Sequence, residues 1–164
     1  EVESIEGCQG CIVTRFRNAG EATVNGIEMQ YQQDFGNGFG LVANYTYTDS
    51  ELDSVTTGKG SLYGVSENSY NLSTYYEDEL ISARIAYNAR GEWRQNYNGQ
   101  EGTAEPFNSI DASLIWHVTD KIDISVEGVN ILNEVRQLYK PELGYMHSVD
   151  QFGARFFIGA SYRM

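Results

Sequence analysis

Apolar and polar side chains alternate with a period of two along most of the chain, and helical periodicity is nearly absent. Period two places successive side chains on opposite faces of a strand. The pattern predicts about seven strands. The first runs from about Ile12 to Gln33, with Ile27, Met29 and Tyr31 opposite Gly26, Glu28, Gln30 and Gln32. In the second, Leu41, Ala43, Tyr45 and Tyr47 oppose Val42, Asn44, Thr46 and Thr48. The third sets Leu72, Thr74 and Tyr76 against Asn71, Ser73, Tyr75 and Glu77. The fourth sets Ile81, Ala83, Ile85, Tyr87 and Ala89 against Ser82, Arg84, Ala86, Asn88 and Arg90. In the fifth, Ile110, Ala112, Leu114, Trp116 and Val118 oppose Asp111, Ser113, Ile115 and His117. The sixth opposes Ile122, Ile124 and Val126 to Asp123, Ser125 and Glu127. The last opposes Phe156, Ile158, Ala160, Tyr162 and Met164 to Arg155, Phe157, Gly159, Ser161 and Arg163.

The connections between these segments alternate strictly. "QDFGNGFG", "EDE" and "TDK" are short; "DSELDSVTTGKGSLYGVSENS", "GEWRQNYNGQEGTAEPF" and "NEVRQLYKPELGYMHSVDQ" are long. Short turns at one end and long loops at the other describe the wall of an outer-membrane barrel. A soluble sandwich mixes loop lengths at both ends. The polar face carries Glu28, Arg84, Arg90, Asp111, Asp123, Glu127, Arg155 and Arg163. A closed apolar core holds so many charges only at high cost, whereas a wet lumen holds them readily. These arginines are expected to neutralise the carboxylates on neighbouring strands. The plainer alternative is the solvated face of a one-sided soluble sheet. The fold class is therefore all-β: an antiparallel, up-and-down transmembrane β-barrel segment.

Composition refines this picture. The 164 residues include 12 tyrosines and carry a formal net charge of -12, which argues against nucleic acid as a partner. No run reaches the roughly 18 apolar residues of a membrane helix, which leaves barrel strands open. Tyr45 and Tyr47 near a long-loop end, and Tyr75, Tyr76 and Tyr162 near short-turn or terminal ends, fit aromatic girdles. Cys8 and Cys11 form a lone CxxC without the further ligands of a zinc site, read as a small surface-loop disulfide of an oxidising compartment, with a pair of reduced thiols as the alternative.

Short turns face the periplasm in such barrels, so the last strand descends to a periplasmic end. Single-chain bacterial barrels have even strand numbers. An odd count with two open edges is expected to be part of a larger wall whose N-terminal portion is missing here.

Six stretches then resemble successive landmarks of TonB-dependent outer-membrane receptors. They are "NAGEATVNGIEMQYQQDF", "LVANYTYTDSEL", "NLSTYYED", "ARIAYNARGEWR", "SIDASLIWHVTDKIDISVEGVNILNE" and "FGARFFIGASYRM". They run in order from about Arg15 to Met164 and resemble most closely the branch common in Caulobacter- and Xanthomonas-type bacteria. The resemblance implies a larger, 22-stranded barrel of which residues 1–164 form the C-terminal segment, with the N-terminal plug domain and the earlier strands absent. It implies the bacterial cell outer membrane as location, with outer-membrane lipid as one partner and the receptor's own plug as another, which Arg84, Arg90, Arg155 and Arg163 would face in the lumen. It also implies the TonB complex, reached through the missing part, the barrel-assembly machinery and a small nutrient ligand. No cofactor or metal is implied. Gly159, Tyr162 and the terminal Met164 match the spacing of the family's assembly signal, with Met164 in place of the usual aromatic.

No catalytic arrangement is evident, and the chain is not expected to be an enzyme. Neither His117 nor His147 has a serine or cysteine partner at recognisable spacing. Asp111 and His117 share a strand face but lie about 20 Å apart at the usual rise. Asp111 and Asp123 can meet across the short hairpin. Candidate ligand contacts are Trp93, Arg94, Tyr97 and Asn98 in one long loop and Tyr139, Tyr145 and His147 in another. An aromatic beside forked and amide donors suits a sugar ring or a planar chelate. Packing among the loops is the alternative role. Asp49, Glu51 and Asp53 read as a solvated acidic loop without the glycine and distal glutamate of an EF-hand. The expected function is part of a transporter and receptor importing a scarce nutrient, an oligosaccharide by family analogy. A siderophore or metal-chelate receptor and a secreted, lectin-like all-β module are the alternatives. A continuous outward apolar band favours the barrel; a second sheet packed on that face favours the module.

Overall fold

The computed structural model describes residues 20–54, 58–97, 100–140 and 144–164. In chain order its strands are β1 (Gly20–Asp34), β2 (Phe39–Ser54), β3 (Gly58–Gly60), β4 (Asn68–Glu77), β5 (Ile81–Arg90) and β6 (Trp93–Tyr97). They continue as β7 (Gln100–Ala104), β8 (Phe107–Thr119), β9 (Ile122–Val129), β10 (Arg136–Lys140), β11 (Tyr145–Asp150) and β12 (Arg155–Tyr162). Seven of them form one antiparallel sheet in the order β1-β2-β4-β5-β8-β9-β12, with β3 alongside β2. These are the seven segments that alternation picks out. The part of the first predicted strand before Gly20 lies outside the described residues, as do Cys8 and Cys11.

Each short turn is closed by one side chain. Asp34 Oδ1 accepts from the Gly36 amide at 2.7 Å, and Gly36 and Gly38 take positive φ angles of 73° and 84°. Asp78 Oδ1 accepts from the Leu80 and Ile81 amides at 2.8 and 2.7 Å. Thr119 Oγ1 accepts from Lys121 and Ile122 at 3.2 and 3.1 Å. Asp, Ser and Thr side chains favour turns because they replace the missing backbone partner in this way.

Among the described residues the apolar face of the wall has no covering layer. Ile27, Met29, Leu72, Ile85, Leu114, Trp116, Val126 and Phe156 are all exposed, and Ile158 is 83% exposed. Cross-strand register runs this face through Leu72↔Tyr87, Ile81↔Trp116, Leu114↔Val126 and Val126↔Ile158. A band of this extent exceeds what soluble monomers leave in water, and among the described residues no second sheet packs on it. Aromatic pairs mark both of its ends. Tyr45 stacks on Tyr70 at 5.0 Å toward the long connections, and Phe39 meets Tyr76 at 4.7 Å beside a short turn. The two levels lie about 20 Å apart along β2, the scale of an apolar barrel band. Tyr75 is not part of this girdle. It pairs with Gly40 on the polar face, where its ring fills the space a Cβ at Gly40 would need.

The long connections are not irregular loops. Strands β6, β7, β10 and β11 form a second sheet in the order β11-β10-β7-β6. That order repeats β12-β9-β8-β5 of the wall, so each strand of this loop sheet is the outward extension of a wall strand. Tyr63 and Ser66 bridge to Arg94 and Trp93 and add the first long connection to its edge.

The interruption between the sheets centres on Asn130, which is buried and takes φ 52°. Its backbone amide donates to Asp111 Oδ1 at 2.8 Å. Its side-chain amide donates to the carbonyls of Glu134 and Gly153, and its side-chain oxygen accepts from the Glu134 amide at 3.0 Å. Asparagine tolerates left-handed backbone and supplies these local bonds. Beyond the interruption lies the one buried apolar cluster among the described residues: Trp93, Ala104 and Leu138, with Phe107 against it.

Candidate functional site

Polar residues converge at three levels of the wall and its extension. The outermost is the loop sheet. Trp93 is only 7% exposed; its Nε1 donates to Gln95 Oε1 at 3.2 Å, and the Arg90 guanidinium stacks 4.2 Å from its ring. Arg90 also donates to Ser66 Oγ at 2.7 Å and to the Gly64 carbonyl. Trp93 and Arg90 thus fasten the loop sheet to the wall.

Arg94 alternates to the other face. It donates to the Ser61 carbonyl and to Glu101 Oε2, both at 2.9 Å, and lies 4.9 Å from the Tyr63 ring. The guanidinium lies close over Gly60, so a Cβ there would make it shift. The Tyr63 hydroxyl donates to the second oxygen of Glu101. That bond, with the Arg94 guanidinium, holds the Glu101 carboxyl below its ordinary value against partial burial, which pushes the other way.

Register brings Arg94, Thr103 and Tyr139 into one row. Tyr145 is exposed opposite Lys140, and His147 is the extra residue where the β10–β11 register shifts. Tyr97 closes the β6–β7 hairpin opposite Gln100, and Asn98 lies outside the described residues. Arg94 and Tyr139 therefore share a row with Thr103 between them, while Trp93 belongs to the packed interior. Arg136, which sequence patterning does not single out, clamps the β10–β11 hairpin through Asp150 at 2.9 Å and lies over Phe152.

The middle level is a ladder of amides across the polar face. Asn44 donates to Asn71 at 3.4 Å, Asn71 to Asn88, and Asn88 to Asp111 Oδ2 at 3.1 Å. Asp111 then accepts from Asn130, so its carboxylate is satisfied by amides rather than by an arginine. The contact between Asp111 and Asp123 that the short hairpin would allow does not form, and each lies on the polar face with partners of its own. Register sets Asp123 opposite His117 and places Ala112, beside Asp111, opposite Gly128. The expected general neutralisation of lumen charges reduces to one pair among these residues, Arg163 on Asp123 at 2.6 Å. Glu28 and Arg155 stand exposed on β1 and β12, opposite Thr46 and Val129.

The third level lies beside the short turns. Ser82 Oγ is 3.2 Å from His117 Nε2, and His117 Nδ1 is 2.8 Å from Asp123 Oδ1. Sequence spacing hides this row, because Ser82 comes from β5, two short strands away along the chain. Its order is that of a nucleophile, base and orienting acid. Here, however, Asp123 also accepts from Arg163 and Ser161. Its charge is already balanced, and the row ties β5, β8, β9 and β12 together. Among the described residues no group of three His, Cys, Asp or Glu side chains is placed to hold a metal. Lys59 occupies the acidic stretch, 3.8 Å from Glu51 and 3.7 Å from Asp53. At the end of β12, Gly159 sits against Ser125 Oγ, Tyr162 lies on the apolar face and Met164 is fully exposed.

A single-layer antiparallel sheet with a bare apolar face, a polar face and extensions at one end defines a transmembrane barrel wall. The sequence matches the family "TonB dependent receptor-like, beta-barrel" over residues 2–131, and the chain belongs to that family. Members of it are outer-membrane transporters of Gram-negative bacteria, not enzymes. Two solved structures share the fold. The siderophore receptor PiuA from Acinetobacter baumannii matches with TM-score 0.69 and 16% identity over 87% of this chain and 22% of its own. The ferric yersiniabactin uptake receptor FyuA from Yersinia pestis matches with TM-score 0.69 and 22% identity over 88% of this chain and 24% of its own. The chain thus spans less than a quarter of either receptor. No curated protein matches the sequence.

Proposed function

We propose that this chain is the C-terminal part of the barrel of a receptor that binds a scarce nutrient outside the cell and imports it with energy passed through TonB. The complete receptor would add the remaining strands, an N-terminal plug and the TonB-contacting segment. The bare apolar band around a charged polar face supports this reading most directly. The nutrient we propose is an oligosaccharide. The Arg94–Tyr139 row offers forked donors and an aromatic ring to it, and Trp93 supports the row from inside the loop sheet. Gly159, Tyr162 and Met164 serve as the signal for the assembly machinery, and Cys8 and Cys11 as a loop disulfide. The names of the two structural neighbours favour a second reading, a siderophore receptor. Uptake by cells producing the complete receptor, with and without TonB, decides between them. TonB-dependent accumulation of a neutral oligosaccharide supports the first reading; accumulation of ferric chelates alone replaces it with the second.

A further inference from the structure

The described residues hold two Asn-Gly steps, Asn25–Gly26 in β1 and Asn37–Gly38 in the β1–β2 turn; a third, Asn98–Gly99, lies outside them. Such a step can close on itself. The glycine nitrogen attacks the asparagine Cγ, ammonia leaves, and water opens the resulting succinimide to aspartate or isoaspartate. Glycine favours this because it has no Cβ to shield its nitrogen and its backbone bends freely. Ring closure also needs the asparagine Cβ and the next nitrogen to eclipse about the Cα–C bond. An extended strand residue holds them apart.

Exposure does not separate the two steps, since Asn25 and Asn37 are both exposed. The backbone does. Asn25 pairs with Asp49, and Gly26 with Thr48, inside the β1–β2 ladder. A further barrel strand beside β1 would only tighten that hold. Asn37 instead stands between Gly36 and Gly38, both at positive φ. Among the described residues neither its amide nor that of Gly38 donates a hydrogen bond, so the attacking nitrogen is free. The Phe39 amide donates to Asn37 Oδ1 at 3.3 Å. That donor sits where negative charge develops when Cγ is attacked.

We infer that Asn37–Gly38 is a site of spontaneous deamidation in the folded receptor, while Asn25–Gly26 is protected. The product adds a carboxylate to a turn that already carries Asp34. In the isoaspartate form the main chain runs through the former side chain and gains a methylene. The added length displaces Phe39, whose carbonyl accepts from Phe35 at 3.0 Å, and Gly38, whose carbonyl accepts from Glu77 at 2.8 Å. The turn and its tie to β4 therefore loosen as the receptor ages.

The test keeps the complete receptor folded in lipid bilayers, in warm and mildly alkaline buffer, beside a second sample in guanidinium. Chymotryptic cleavage after Tyr31 and Phe35 puts Asn25 and Asn37 on separate peptides, and mass spectrometry follows the amide-to-acid shift of each. In the folded sample Asn37 is expected to convert about tenfold faster than Asn25 or more, because the ladder must open before Asn25 can react. In guanidinium the two should convert at rates within about threefold of each other, since the fold no longer distinguishes them. Equal rates in the folded receptor overturn the inference, and so does an Asn37 that reacts only in guanidinium. Hydrogen exchange at the Phe35 and Glu77 amides should rise several-fold in the converted fraction; unchanged protection there overturns the loosening.

Discussion

The wall and the loop sheet are built from the same strands running on, yet they are held together in opposite ways. The wall has many apolar side chains and almost none buried; Ala86 is its only buried apolar residue among those described. The loop sheet is small and polar, yet it holds Trp93, Ala104 and Leu138 in a dry cluster. In the wall, backbone ladders and lipid contact supply the stability that packing supplies elsewhere. The loop sheet stands in water and needs a core of its own. The lesson is that solvent, not strand chemistry, decides which side chains must be buried.

Substitutions can break this contrast at either end. The largest effect is expected from Trp93→Ala in the complete receptor, about 3–5 kcal/mol of local stability. Hydrogen exchange should rise across β6, β7 and β10, while heat resistance of the wall on a gel stays unchanged. Loss of both would mean the two regions are one cooperative unit. Next is Leu114→Arg on the lipid side, expected to cost about 2–4 kcal/mol, against little for Ser113→Arg one residue away on the polar face. Equal costs in a lipid-bilayer unfolding assay would reject the orientation of the wall. Asn130→Ala should loosen the junction by about 1–3 kcal/mol through unsatisfied carbonyls and a strained backbone. Protease cleavage near residues 130–135 reads that out, and Asn130→Gly should recover only the backbone part.

Acid supplies a gentler probe. The Glu101 carboxyl is held below its ordinary 4.5, first by the Tyr63 hydroxyl and then by Arg94. A lowered carboxyl contributes stability that is complete above the unfolded value and is lost as pH falls through the folded one. Exchange protection of β6 and β7 should therefore hold from neutral pH down to about 4.5 and decline below it. Glu101→Gln should remove that step from the profile. Lys59→Ala is expected to change almost nothing, within about 1 kcal/mol, since its ion pairs are exposed.

Alternation made the wall readable in the sequence, because a half-lipid, half-lumen strand has a strict period of two. The faces of Leu114 and Ser113, or of Ile158 and Arg155, follow from counting. Register across the long connections does not. Asn44, Asn71 and Asn88 sit on the polar face by parity, but only the pairing of β2 with β4 makes them a ladder. For the same reason the Ser82–His117 contact and the bond from Asn88 to Asp111 do not show in the sequence. The loop sheet was missed because β6, β7, β10 and β11 are short and lack long alternation. The two-residue interruption at Gly91–Glu92 looks like the start of a loop. Trp93 stood out as an aromatic among polar donors, a signature shared by ligand contacts and by small cores.

The Tyr75 ring over Gly40 bears on how the wall is assembled. Strands β2 and β4 are joined by a long connection, which does not fix their alignment as a tight turn would. Sliding one past the other by a single residue exposes charge to lipid and corrects itself. Sliding by two keeps every side chain on its proper face and costs little by polarity alone. In one direction such a slip would set Tyr75 against Val42, whose side chain is in the way, and leave Gly40 without its cover; in the other it would set Tyr75 against Gly38. The ring and the glycine fit as a key in its slot, and the fit opposes the slip toward Val42, which the hydrophobic pattern alone does not detect.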